Sequence, residues 1–222
     1  MWWRNEKGGV LMKYANSLLK RNCYEELSTL FGHTANPIKE ITESYGAFHH
    51  VANAVYKDGL KLDDFFNLHI GDGSTARTGA LFTFMGKSVN VSIDPQTNLK
   101  FMNNWMERYD VVDFNAYKST WQDYEKNMSA MDSWYAMGTQ KKKHLAIVLV
   151  HSHVHTMEVM KAFPNWKYVY TNPCCMPNHQ LLSTQQLEQN NISIVTCGHD
   201  VQILSPQNQV VVYRNDTLFK GK

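Results

Sequence analysis

Asn67–Pro95 reads NLHIGDGSTARTGALFTFMGKSVNVSIDP, and the fold turns on how that stretch is parsed. Phe65–Ile70 has the length and apolar content of a strand. Gly71-Asp72-Gly73-Ser74 follows it, where glycines allow a tight turn and a close approach of backbone to a ligand. Ala76–Met85 then reads as a helix closed by Gly86. Val89–Ile93 (VNVSI) is a second strand, rich in β-branched residues, ending on Asp94-Pro95. Strand, glycine turn, helix, strand, acid is the order of a β-α-β unit with a crevice at the carboxyl ends of its strands. Asp94 stands where an acid accepts the hydroxyls of a ribose.

Working outward, Leu145–Val150 (LAIVLV) is continuously apolar, as a central parallel strand covered on both faces must be. Asp110–Phe114 reads as a short third strand, Tyr168–Thr171 and Ile192–Thr196 as later ones. Val201–Leu204 and Gln209–Tyr213 flank a Ser-Pro-Gln-Asn turn and read as a closing hairpin. Helices are expected at Leu99–Arg108, Trp121–Met137, Thr156–Phe163 and Ser183–Gln189. Before the first strand, Val10–Arg21, Cys23–Phe31 and Ile38–Tyr56 are helical, the last with Ile41, Tyr45, Phe48, Ala52 and Val55 on one face. The expectation is an α/β fold: a doubly wound, mostly parallel Rossmann-like sheet with an antiparallel C-terminal hairpin. Residues 1–60 form an N-terminal helical extension and 61–222 the Rossmann-like domain.

At this point the chain resembles the class I S-adenosylmethionine-dependent methyltransferases over about Asn67–Tyr213. LHIGDGSTARTG stands as the glycine motif, VSIDP as the ribose-binding strand end and LAIVLVHSH as the fourth strand. The resemblance implies S-adenosylmethionine as cofactor. It is held by Gly71, Asp72, Gly73, Ser74, Asp94 and Pro95, the glycines against its methionine part and Asp94 on its ribose. Two positions depart from the family pattern. His69 stands where an acid is usual two residues before the first glycine. Thr75 or Ala76 stands where a third glycine is usual. Asp72 is the nearest replacement for the acid. An NAD-type Rossmann domain is the near alternative, with Ala76 in place of the last glycine of GxGxxG.

His151-Ser152-His153-Val154-His155 follows the fourth strand at its carboxyl end. A histidine there can take a proton from an attacking group, since its ordinary pKa is about 6.5. His151 and His153 are the candidate catalytic residues. Arg77 and Asn172 are candidate substrate contacts, Arg77 for an anionic group and Asn172 by its place at the next strand end. Cys174, Cys175, His179, Cys197 and His199 share that edge, and HxHxH resembles metallohydrolase motifs. No CxxC pair accompanies it, so zinc is not expected and no metal ligand is assigned.

Net charge is +2, with 43% hydrophobic and 19% charged residues, a balance that neither demands nor excludes a polyanionic partner. Lys141-Lys142-Lys143 leads into the amino end of LAIVLV, opposite the crevice. No Lys-Asp-Lys-Glu set and no N/D-P-P-Y motif is present, so a small molecule or protein is favoured over nucleic acid as acceptor. The amino terminus lacks the apolar core of a signal peptide, no run reaches membrane-spanning length, and four cysteines without framework spacing read as free thiols; a cytoplasmic protein is expected. Two further readings stay open: a methyltransferase-like fold acting as an interaction module, and a His/Cys metal-dependent hydrolase.

Overall fold

The computed structural model describes residues 13–130, 143–173 and 177–219. Trp2-Trp3, Trp134, Tyr135, Lys141, Lys142, Cys174 and Cys175 lie outside the described residues, as does the end of the helix expected to reach Met137. Seven strands form one sheet: β1 (Phe65–Ile70), β2 (Val89–Ile93), β3 (Phe114–Tyr117), β4 (His144–Val150), β5 (Trp166–Asn172), β6 (Ile192–His199) and β7 (Gln209–Asn215). Their order is β3-β2-β1-β4-β5-β7-β6. The pairs from β3 through β5 are parallel, while β7 runs antiparallel to both β5 and β6. β1 sits between β2 and β4, with Ile70 opposite Ile93 and Phe66 opposite Leu145. All its residues are buried, the apolar Phe65, Phe66, Leu68 and Ile70 together with the polar Asn67 and His69.

Helices cover both faces. On one side α1 (Lys13–Leu19), α2 (Tyr24–Phe31), α3 (Pro37–Lys57), α4 (Arg77–Gly86) and α5 (Leu99–Arg108) share a core with Phe65, Val148, Tyr168 and Tyr170. On the other, α6 (Trp121–Ala130) and α7 (Thr156–Ala162) pack Tyr124, Val159 and Met160 on Leu68, Ile147 and Val169. The short α8 (Pro177–Gln180) and α9 (Thr184–Gln189) follow, α9 opened by a capping box between Ser183 and Gln186. α3 is the longest helix described. Asn36 caps it by accepting from the Lys39 N–H, Pro37 occupies its first turn, and Gly59 (φ +71°) turns the chain after it.

Two expectations are corrected. The third strand is Phe114–Tyr117, not Asp110–Phe114: Asp110 takes a left-handed conformation (φ +50°) that ends α5, and pairing with β2 begins only at Phe114. Val201–Leu204 is not a strand either. The closing hairpin is β6 with β7, and the 200–208 loop folds back on α3. There Ile203 is buried beside Gly46, and the Leu204 N–H donates to Thr42 Oγ1. A loop carrying its own apolar residues imitates a strand in sequence.

Candidate active site

β1 and β4 are neighbours, but the helix after β1 lies on one face and the helix after β4 on the other. This is the topological switch point, where a crevice opens at the carboxyl edge. The glycine turn lies there. Gly71 has φ +76° and Gly73 φ +75°, both in the left-handed region that glycine tolerates. A Cβ at Gly71 would stand 2.7 Å from Ser152 Oγ, so the β1 turn and the segment after β4 touch. Asp94, half-buried at the end of β2, accepts from the Gly73 N–H at 3.0 Å and the Gln96 N–H at 2.6 Å. Ser74 and Pro95 are exposed at the rim, Ser74 accepting from the Asn98 N–H through its carbonyl.

Asp72 lies at the same turn, on the wall of the cavity above it. Its carboxylate accepts from the Thr78 and Gly79 N–H groups, each at 2.9 Å, and from Ser92 Oγ at 2.7 Å. It therefore caps α4 and fills the anion site that a dinucleotide phosphate occupies in an NAD-type turn. His69 belongs to a buried polar layer under α4. Its Nε2 bonds Asn90 Oδ1 at 3.1 Å, Asn67 reaches the same oxygen, and burial lowers the imidazole pKa, keeping it neutral. A neutral buried imidazole is no substitute for the acid usual at that position. Gly79 closes LHIGDGSTARTG and had no role of its own assigned from the sequence. A Cβ there would stand 2.2 Å from Ser92 Oγ and 2.7 Å from Phe114, so this glycine sets the close approach of α4 to the sheet.

Above the turn lies a cavity of about 190 Å³, roofed by α3. His151, at the end of β4, points its Nε2 at Glu43 of α3, 2.6 Å away. Lys39 binds the same carboxylate at 2.8 Å. Glu43 is only 1% exposed. Burial alone would push its carboxyl up; hydrogen bonds and charge from His151 and Lys39 outweigh this and hold it low. His151 has φ +49°, a strained conformation for a non-glycine residue that turns the ring back under α3. Arg77 bonds Glu40 at 3.0 Å and Thr75 at 2.6 Å, beside Gly73. Lys39, Glu40 and Glu43 were not read as site residues. Only Lys39 with Glu43 at i,i+4 hinted at them, because an acid among Ile41, Thr42, Ser44 and Tyr45 looks like a solvated helix face until tertiary packing buries it.

The remaining candidates disperse. His153 is exposed and does not line the cavity. Asn172 is fully buried, with its amide nitrogen given to the carbonyls of Gln207 and Gln209, so it ties the end of β5 to the start of β7. Cys197 is exposed on β6, and His199 bonds Asn208. The side chain of His179 lies outside the described residues. Among the described residues no three His, Cys, Asp or Glu side chains gather as metal ligands. No described helix is long and apolar enough to cross a membrane.

No protein-family profile and no curated protein matches the sequence. Solved structures do. One described as MtNAS in complex with MTA and tNA matches with a TM-score of 0.51 at 11% identity, over 93% of this chain and 70% of its own. A single-residue mutant of that protein matches over the same shares, with a TM-score of 0.50 at 10% identity. Magnesium protoporphyrin IX methyltransferase from Synechocystis PCC 6803, with bound SAM, gives 0.49 at 12% identity over 97% of this chain and 99% of its own. At such identities the likeness is one of fold. That fold is a seven-stranded, mostly parallel Rossmann-like sheet with β7 inserted antiparallel between β5 and β6.

Proposed function

We propose that this protein binds S-adenosylmethionine at the switch point and is a methyltransferase. The observation that carries the reading is the junction of Gly73 and Asp94. The bare turn leaves room for a ligand, and each Asp94 oxygen spends one lone pair on a backbone N–H and keeps one for a ribose hydroxyl. Gly71 and Gly73 would hold the middle of the cofactor and Asp94 its ribose. When bound, the cofactor supplies a methyl group on a positively charged sulfur. His151 is the residue placed to move a proton. With Nε2–H donated to Glu43, its Nδ1 is left as the acceptor for a proton from an attacking hydroxyl or amine. Asp72 and Asn172, both bound up in local structure, are not assigned to ligand.

A small-molecule or protein acceptor is favoured over nucleic acid. Lys143, the described end of the basic run, lies at the amino end of β4 and pairs with Asp64 at 3.3 Å, away from the crevice. A second reading, an interaction module that has lost its cofactor, draws on the buried neutral His69. Calorimetry with S-adenosylmethionine and S-adenosylhomocysteine separates the two. Saturable binding that Asp94→Ala weakens at least ~10-fold, the loss of one good charge-assisted contact, supports the enzyme reading. No binding at millimolar ligand would sink it.

A further inference from the structure

A second cavity, of about 500 Å³, lies at the far end of α4 from the glycine turn. α4 starts beside the crevice at Arg77 and ends at Gly86, so its last turn stands ~15 Å from its first by helix geometry. Phe84 and Met85 of that last turn line the cavity together with Lys20, Arg21 and Asn22 after α1, Cys23 before α2, and Glu26 in its first turn. The lining is braced from behind. The Glu26 carbonyl accepts from Trp105 Nε1 of α5 at 2.9 Å, and the Phe84 ring meets the Trp105 ring edge-on at 5.9 Å. Burial raises the Cys23 thiol pKa, which makes it a neutral wall and not a nucleophile. The charges, by contrast, are unspent. Glu26 Oε2 is buried and makes no hydrogen bond among the described residues. Lys20 and Arg21 are exposed, and neither forms an ion pair among the described residues. A buried carboxylate oxygen without a donor carries a desolvation cost that a ligand N–H would offset. An anion alone would meet the two cations and leave Glu26 unsatisfied, and a cation alone would do the reverse. A ligand with a carboxylate, an ammonium group and an apolar body answers all three parts of the lining.

We propose that this cavity binds a free apolar α-amino acid, with its carboxylate on Arg21 and Lys20, its ammonium group on Glu26 and its side chain against Phe84 and Met85. Arg21 presents a planar fork matched to a carboxylate, where Lys20 adds a point charge. The site shares no residue with the cavity at the switch point, so it stands independently of the cofactor reading.

The test is methyl NMR on the full chain labelled at its methionine methyl groups, with the Met85 resonance assigned by Met85→Leu. Three probes are titrated: L-phenylalanine, 3-phenylpropionate, which lacks the ammonium group, and phenethylamine, which lacks the carboxylate. L-phenylalanine is expected to shift the Met85 resonance saturably, at a concentration at least ~10-fold lower than either analogue requires, as charge-assisted contacts to both ends imply. Glu26→Gln should erase its advantage over 3-phenylpropionate, and Arg21→Met should narrow its advantage over phenethylamine. A Met85 resonance that L-phenylalanine does not move at millimolar concentration overturns the proposal. So does a wild-type protein that takes 3-phenylpropionate or phenethylamine as tightly, which would make the cavity a site for one charge only. A shift that survives both variants unchanged overturns it as well, since the ligand would then sit elsewhere. Should Glu26→Gln fail to fold, the wild-type comparison and the exposed Arg21→Met still decide.

Discussion

Gly79 and His69 show how single residues trade places in this site. The buried polar layer of Asn67, His69, Asn90 and Ser92 needs α4 close above it, and Gly79 permits that approach. Gly79→Ala would put a methyl group 2.2 Å from Ser92 Oγ and 2.7 Å from the Phe114 ring. Overpacking of this kind costs ~1–3 kcal/mol. Urea denaturation of Gly79→Ala should therefore show a loss of that size with an unchanged m-value. At this scale the sequence carried the glycines of the turn and Asp94, because φ sign and strand-end position follow from local chemistry. It did not carry the fate of Asp72 or Asn172. Both are polar groups at strand ends, and only the neighbours around them decide between ligand and backbone as their partner.

Elements read from local pattern held up where one local rule dominates. β4 is apolar from Leu145 to Val150 because both its faces are covered, and α3 is bounded by Asn36, Pro37 and Gly59 as capping chemistry demands. Removal of the Asn36 side-chain cap by Asn36→Ala should cost ~1 kcal/mol. Because α3 also roofs the cavity, the same variant should speed amide exchange in the Lys39–Glu43 turn, and hydrogen-exchange mass spectrometry would register it. Elements misread were those set by partners distant in sequence. Val201–Leu204 has strand composition, yet its Ile203 packs on α3 instead of joining a ladder. The start of β3 depends on where the parallel β2 begins to offer a partner, at Asn90 opposite Phe114.

Across the whole molecule, the N-terminal helices are tied to the C-terminal hairpin by Asp200. Tyr14 donates to its carboxylate at 2.6 Å and His50 meets the same oxygen at 2.8 Å. Burial would raise Asp200, but these hydrogen bonds prevail and bring its pKa from an ordinary 3.8 down to about 2. A depressed carboxylate stabilises the fold above its unfolded pKa, and that stability is lost as pH falls through the folded value. The contribution is about 1–2 kcal/mol once solvent screening at a half-buried pair is allowed for. Asp200→Asn should flatten the dependence of unfolding free energy on pH between 3.8 and about 2, as followed by acid titration of circular dichroism. From its sequence alone the chain determined a mostly parallel α/β sheet with a glycine turn and an acid, Asp94, at its switch point. Those features depend on periodicity and on residues adjacent in the chain. Only the tertiary structure decided that Glu43 and Lys39 meet His151 beneath α3. That meeting depends on where one long helix crosses the carboxyl edge of the sheet, and burial of a charge is a property of the surroundings that no local pattern encodes.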